Sequence, residues 1–316
     1  MLNWRHSPVK AKMANQDKNI VIPKFSGHDS FALRYGWLFK VAQEAIKNSI
    51  PFRTPEEDMV TYGVGKNMVV AMKHWAKSFG ILHEGALTEF GRKIFSDEGW
   101  DKYLEDEGTL WILHWKLVSS ENLNTIWWWA FNKYPETSFD KQSMLKSLKE
   151  FIAKKYPENK TVESSLKKDI DCFINTYVVK SLVKNAITEN TLECPLAELG
   201  LIKEKTNKGE FKFQRNLGKR VPKLIFYYAL TEYINNSKEK TKTLSLESIT
   251  YEANSPGRIF KLDESTITSY LSDIEKSSNN KYKWSDTSSM RQLQINKKTS
   301  SEYFLNKYYN NEKKRI

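Results

Sequence analysis

Cysteine is nearly absent from this chain of 316 residues, with Cys172 and Cys194 its only thiols. Two thiols cannot build a disulfide framework or a cysteine-only structural zinc site, and they suit a reducing compartment. Both are expected to be buried, and the protein to be cytoplasmic. Long apolar runs are missing too: the longest, Leu224 to Leu230, falls far short of the roughly 20 residues a membrane helix needs. The first 18 residues carry charges with no continuous apolar segment behind them, so no secretory signal is read there. Catalytic metal signatures are lacking as well. There is no HEXXH, no CxxC, and no acidic pair with an accompanying lysine at a nuclease spacing. No metal or other cofactor is called for, and the chain reads as a binding protein more than as an enzyme.

What is present is apolar and basic. At 40% hydrophobic and 13% aromatic the chain can bury a sizeable core, and its 37.0 kDa allow two or three modules. The net charge is +12 and the pI near 9.3, which favours anionic partners. The excess is uneven. Residues 1–137 hold 17 Lys+Arg against 16 Asp+Glu, and residues 138–316 hold 33 against 22. Tryptophan leans the other way, since all but Trp284 lie between Trp4 and Trp129. A dense N-terminal core and a basic C-terminal part follow.

Along the chain, four stretches separate. Residues 1–24 lack periodicity and read as a loose arm. Residues 25–135 form a Trp-rich helical module. Its helices are expected over 31–46, over 55–62 behind an N-cap at Thr54, and over 67–79 up to Gly80. Ile81-Leu82 and Ala86-Leu87 follow as a rudimentary wing, giving a helix-turn-helix order. Residues 136–237 form a basic module, with helices at 140–155 and 162–177. A hairpin of 201–206 and 210–215 comes next, turning at Asn207-Lys208-Gly209, and a buried helix runs from 221 to 234. Residues 238–316 repeat the grammar: a short helix at 246–251, a turn at 254–257, a helix capped by Asp263, a second hairpin at 281–284 and 290–295, then a frayed basic tail. The fold class is mainly α with small β-hairpins (α+β), made of several winged-helix-like or helix-turn-helix-like modules.

The strongest nucleic-acid signal lies in residues 203–223, where eight Lys or Arg meet two Glu with Phe211 and Phe213 interleaved. Lys203, Lys205, Lys208, Lys212, Arg215, Lys219 and Arg220 are the candidates to follow a phosphate backbone. Arg258, beside the turn Ser255-Pro256-Gly257, is a second candidate. Lys66 is a third, in Gly63-Val64-Gly65-Lys66-Asn67. That segment is no nucleotide P-loop, because Val60 stands where a glycine is needed and Asn67 where Ser or Thr is needed. His28 and Asp29 form a weaker catalytic candidate, for which capping and hydrogen bonding are the stronger reading.

Several of these segments occur together in one family. Phe25-Ser26-Gly27-His28-Asp29-Ser30-Phe31 with Arg34, Tyr35 and Trp37, then Gly63 to Val69, Leu87-Thr88-Glu89-Phe90-Gly91 and Ser255 to Leu262 resemble the bacterial domain-of-unknown-function 4007 family from Phe25 to about Ile295. The resemblance implies a gene neighbourhood of DNA phosphorothioation and antiphage defence, beside a phosphosulfate-reductase-like sulfurtransferase. It carries over no catalytic residues. The expectation is a double-stranded-DNA-binding accessory or targeting subunit of such a system. The alternatives are a scaffold that docks the sulfurtransferase or an ATPase, or a nuclease at His28 and Asp29.

Overall fold

The computed structural model describes residues 22–121, 123–179, 194–215, 220–237, 242–287 and 290–312. The N-terminal part is helical. Gly36, at φ 79°, opens α1 (Trp37–Asn48), six residues later than the apolar pattern from Phe31 suggested. The delay is local: Ser26, Asp29 and Ser30 all adopt positive φ, so the segment before Gly36 is a chain of turns. Thr54 and Glu57 form a reciprocal capping box on α2 (Pro55–Tyr62), and Gly63 ends it in the left-handed region. α3 (Lys66–Ser78) buries Val69, Met72, Trp75 and Ala76 on one face. β1 (Leu82–His83) and β2 (Ala86–Leu87) pair antiparallel around Glu84 and Gly85, both at positive φ as a two-residue hairpin turn requires. Thr88 then caps α4 (Glu89–Phe95). α5 (Glu107–Val118) and α6 (Thr125–Asn132) are buried nearly all round and carry Trp111, Trp115 and Trp127 to Trp129 into the core.

Two units of the same order follow. The first runs β3 (Ser138–Asp140), α7 (Lys141–Lys155), α8 (Glu163–Tyr177), β4 (Ile202–Glu204), β5 (Glu210–Phe213) and α9 (Lys223–Asn236). The second runs β6 (Thr243–Ser245), α10 (Leu246–Tyr251), α11 (Pro256–Ile259), α12 (Glu264–Ser272), α13 (Ile274–Ser277), β7 (Tyr282–Thr287), β8 (Met290–Ile295) and α14 (Glu302–Glu312). Each has a three-stranded antiparallel sheet in which the opening strand pairs with the second arm of the hairpin, in the orders β3-β5-β4 and β6-β8-β7. The fold is therefore α+β, mainly helical with small antiparallel sheets. Both hairpins form at the expected places, though β7 runs on to Thr287 through residues read as the connection.

The tail is the main departure. Residues read as frayed form α14, which buries Phe304, Leu305, Tyr308 and Tyr309 and packs on α9. It also reaches back to the N-terminal part: Tyr309 meets Thr109 at 2.8 Å and Tyr308 donates to Asp106 at 2.7 Å. One hydrophobic cluster runs from Leu33 to Tyr309. Among the described residues no helix is long and apolar enough to cross a membrane.

Candidate nucleic-acid interface

The motif at residues 25–31 is architectural. His28 is buried; its Nε2–H donates to Asp169 of α8 at 3.0 Å, and its Nδ1 accepts from Ser30 N at 3.1 Å. Both nitrogens are engaged in a way that only the neutral Nε2–H tautomer allows. Asp169 also accepts from Ser26 N through both oxygens, at 2.9 and 3.1 Å. Gly27 has no freedom to be anything larger, because a Cβ there would come within 2.5 Å of the His74 ring. His74 bonds Asn124 at 2.9 Å, and burial lowers its pKa to about 4. The two thiols are free and buried, and burial pushes Cys194 up to about 12, so neither is a nucleophile at neutral pH.

Beside this motif lies a groove of about 760 Å³. Lys24 from the segment before the motif, Lys73 and Lys77 from α3, and Lys160 from the turn before α8 line it, together with His74, Ser26, Ser78 and Thr161. No Asp or Glu is among its lining residues, and none of the four lysines has a carboxylate within ion-pair reach among the described residues. Three of these lysines belong to the near-neutral first 137 residues. Sequence counting missed them because the balancing acids sit elsewhere, at the start of α2 and around residues 97–107.

The hairpin forms a second cationic surface. Phe139, Phe211, Phe213 and Ile202 turn into the core, which leaves Lys203 and Lys212 as directly paired neighbours on the exposed face. Like charges opposite each other destabilise a sheet unless an anion screens them. Lys205 pairs with Glu210 at 3.3 Å, Lys208 is exposed at the turn, and Gly209 takes φ 86°. Arg215 is exposed just beyond β5. Arg220 is held differently: it pairs with Glu107 of α5 at 2.8 Å and donates to the carbonyls of Leu199 and Glu198. Lys66 is exposed in the first turn of α3, and Lys219 lies outside the described residues.

Arg258 begins a third cluster. Ser255 caps α11 by accepting from Arg258 N, and the Arg258 side chain donates to Tyr251 O at 3.3 Å. Next to it the Lys261 ammonium donates to Phe131 O at 3.2 Å, between the rings of Phe131 and Phe213. Behind them His114 of α5 joins both units, bonding Tyr177 Oη at 2.9 Å and Ile259 O at 3.2 Å. Burial lowers its pKa to about 3. Sequence reasoning singled out neither His114 nor Lys261. Among the described residues no three His, Cys, Asp or Glu side chains gather where they could hold a metal.

Fold and surfaces together define an α+β protein with two strand–helix–hairpin–helix units and three cationic surfaces, each with cations that have no ion-pair partner among the described residues. The chain belongs to the family described as "Protein of unknown function (DUF4007)", whose model matches residues 25–309. Among solved structures it is similar to a "Magnesium ion-bound SspB crystal structure", with 28% identity and a TM-score of 0.80 over 91% of this chain and 88% of that one. It is also similar to an "SspB crystal structure", with 27% identity and a TM-score of 0.77 over the same shares. No curated protein matches it.

Proposed function

We propose that this chain binds double-stranded DNA, with its two strand–helix–hairpin units acting as winged helices. In this reading it is an accessory or targeting subunit of a phosphorothioation-type DNA-modification system in antiphage defence. The observation that carries the reading is the four-lysine groove. A concave wall of unpaired cations without carboxylates focuses positive potential, and a phosphate backbone entering it releases counterions. The paired Lys203 and Lys212, with Lys208 and Arg215, add a wing that can follow phosphates. DUF4007 membership supports the setting, through the gene neighbourhood that the family resemblance implies. The burial of His28 and its complete hydrogen bonding support a structural role there over a nucleolytic one.

Duplex affinity measured against salt tests this. Each phosphate contact adds about 0.9 to the log–log slope, so replacing Lys24, Lys73, Lys77 and Lys160 together by Ala is expected to flatten it by about 3 to 4. Duplex binding with no salt dependence, or an unchanged slope in that variant, overturns the proposal.

A further inference from the structure

The third cluster encloses a pocket of about 120 Å³, apart from the groove and sharing only the end of β5, with Arg215, with the hairpin surface. Its walls come from the segment after α6, the end of β5, α10 and the α11 turn, and three cations face it: Arg215, Arg258 and Lys261. None of the three has an ion-pair partner among the described residues. The single lining carboxylate, Glu136, is exposed at the rim. Among the described residues the buried Arg258 Nε has no hydrogen-bond partner, a costly state for a charged donor unless something completes it. Lys261 uses one of its donors on Phe131 O and stands at φ 55°, a left-handed backbone that L residues other than Asn and Asp rarely adopt. Strain of this kind persists where the surroundings enforce it, and it gathers at ligand sites. Gly257 lets α11 lie against α10, since a Cβ there would come within 2.6 Å of Thr250 Cα.

We infer that this pocket is a built site for one tetrahedral oxyanion, of sulfate or phosphate form, gripped by the Arg258 guanidinium, the Lys261 ammonium and Arg215. The room suits a group of that size. A dianion offsets the mutual repulsion of the three cations and completes the orphaned Nε with a charge-assisted bond. The site stands apart from the DNA reading, because a free oxyanion can fill it whether or not a duplex binds. The same chemistry would take a backbone phosphate of a nucleic acid.

Burial, Arg258 and Arg215 lower Lys261 to about 7, so at pH 8 it is mostly neutral. An arriving dianion favours its charged form, and binding takes up a proton. The other groups facing it do not mask that uptake. Arg215 and Arg258 remain cationic, the Tyr134 and Tyr251 phenols are raised, His114 is held neutral, and Glu136 is a rim carboxylate.

The test is calorimetric titration with sulfate at pH 8 and constant ionic strength, in two buffers of different ionisation enthalpy. Sulfate is expected to bind with proton uptake, and Lys261→Met to weaken it at least tenfold and abolish the uptake. Arg215→Ala, an exposed change that leaves the core intact, should also weaken it at least tenfold. No sulfate binding by the parent chain, or equal binding by the Arg215→Ala chain, overturns the inference. A competing duplex then separates the sources: displacement of sulfate assigns the site to a backbone phosphate, and simultaneous binding assigns it to a free oxyanion. Loss of duplex binding in the four-lysine variant with sulfate binding intact shows that the two sites stand separately.

Discussion

The two strand–helix–hairpin–helix units share a topology and differ in what they do with charge. In the first, the hairpin exposes Lys203 opposite Lys212 with no acid to neutralise either among the described residues. In the second, Arg291 stands on the central strand β8, the counterpart of β5, and is held by Asp286 at 3.1 Å and Glu264 at 3.3 Å. The first unit buries phenylalanines beneath its sheet; the second turns Tyr282 and Leu293 inward and sends its last helix, α14, back onto α9 of the first. The same grammar thus supports a surface waiting for an anion and a surface already satisfied. Topology alone does not tell the two surfaces apart; the ion-pair pattern does.

The comparison breaks most severely at α14. A stop after Thr299 removes the burial of Phe304, Leu305, Tyr308 and Tyr309, at about 1.5 to 3 kcal/mol for each side chain. α9 and the start of α5, on which α14 packs, are expected to lose protection while α7 and α8 keep theirs, which amide exchange would show. Unchanged protection of α9 in the truncated chain would contradict its dependence on α14.

Acid is the next largest lever, because it acts on the histidine that joins the units. His114 and His74 have folded pKa values of about 3 and 4, lowered by burial from 6.5. The fold favours their neutral forms. Their contribution is complete above pH 6.5 and is lost as pH falls toward 4 and 3, by about 2–3 kcal/mol per histidine at pH 4.5. Urea midpoints at pH 7 and 4.5 measure this, and His114→Gln should retain less of the dependence. Equal midpoints in the parent chain would refute the burial argument.

The smallest effect sharpens the charge contrast itself. Lys203→Glu with Lys212→Glu should weaken duplex binding at least tenfold at moderate salt, with little change in stability. Arg291→Ala in the second unit should leave affinity within twofold, since its exposed pairs contribute only about 0.2–1 kcal/mol. Equal losses in both hairpins, read by fluorescence anisotropy, would erase the distinction.

Much of this was legible in local chemistry. Asn207-Lys208-Gly209 marked the hairpin turn, Thr54 with Glu57 the cap of α2, and Asp263 the cap of α12. β3 and β6 were not legible: Ser138-Phe139-Asp140 and Thr243-Leu244-Ser245 are too short to show alternation and exist only because a distant hairpin arm offers its edge. α14 was hidden by composition, since Asn, Lys and Glu surround the four aromatic and aliphatic side chains that anchor it. At the surfaces, local basic density pointed to the hairpin, and the Gly-containing turn Ser255-Pro256-Gly257 to Arg258. The groove escaped because it is assembled from residues as distant as Lys24 and Lys160, and a net charge averaged over 137 residues cannot see which acids lie across the molecule.

The bonds from Ser26 and His28 to Asp169, and from Thr109 to Tyr309, also set a timetable. Their partners lie 143, 141 and 200 residues further along the chain. At roughly 5–20 residues per second, a ribosome delivers the first partner on the order of ten seconds after the motif emerges. Until then the tryptophan-rich segment stands with its central polar tie open, so the N-terminal part becomes complete only after the second part has been made.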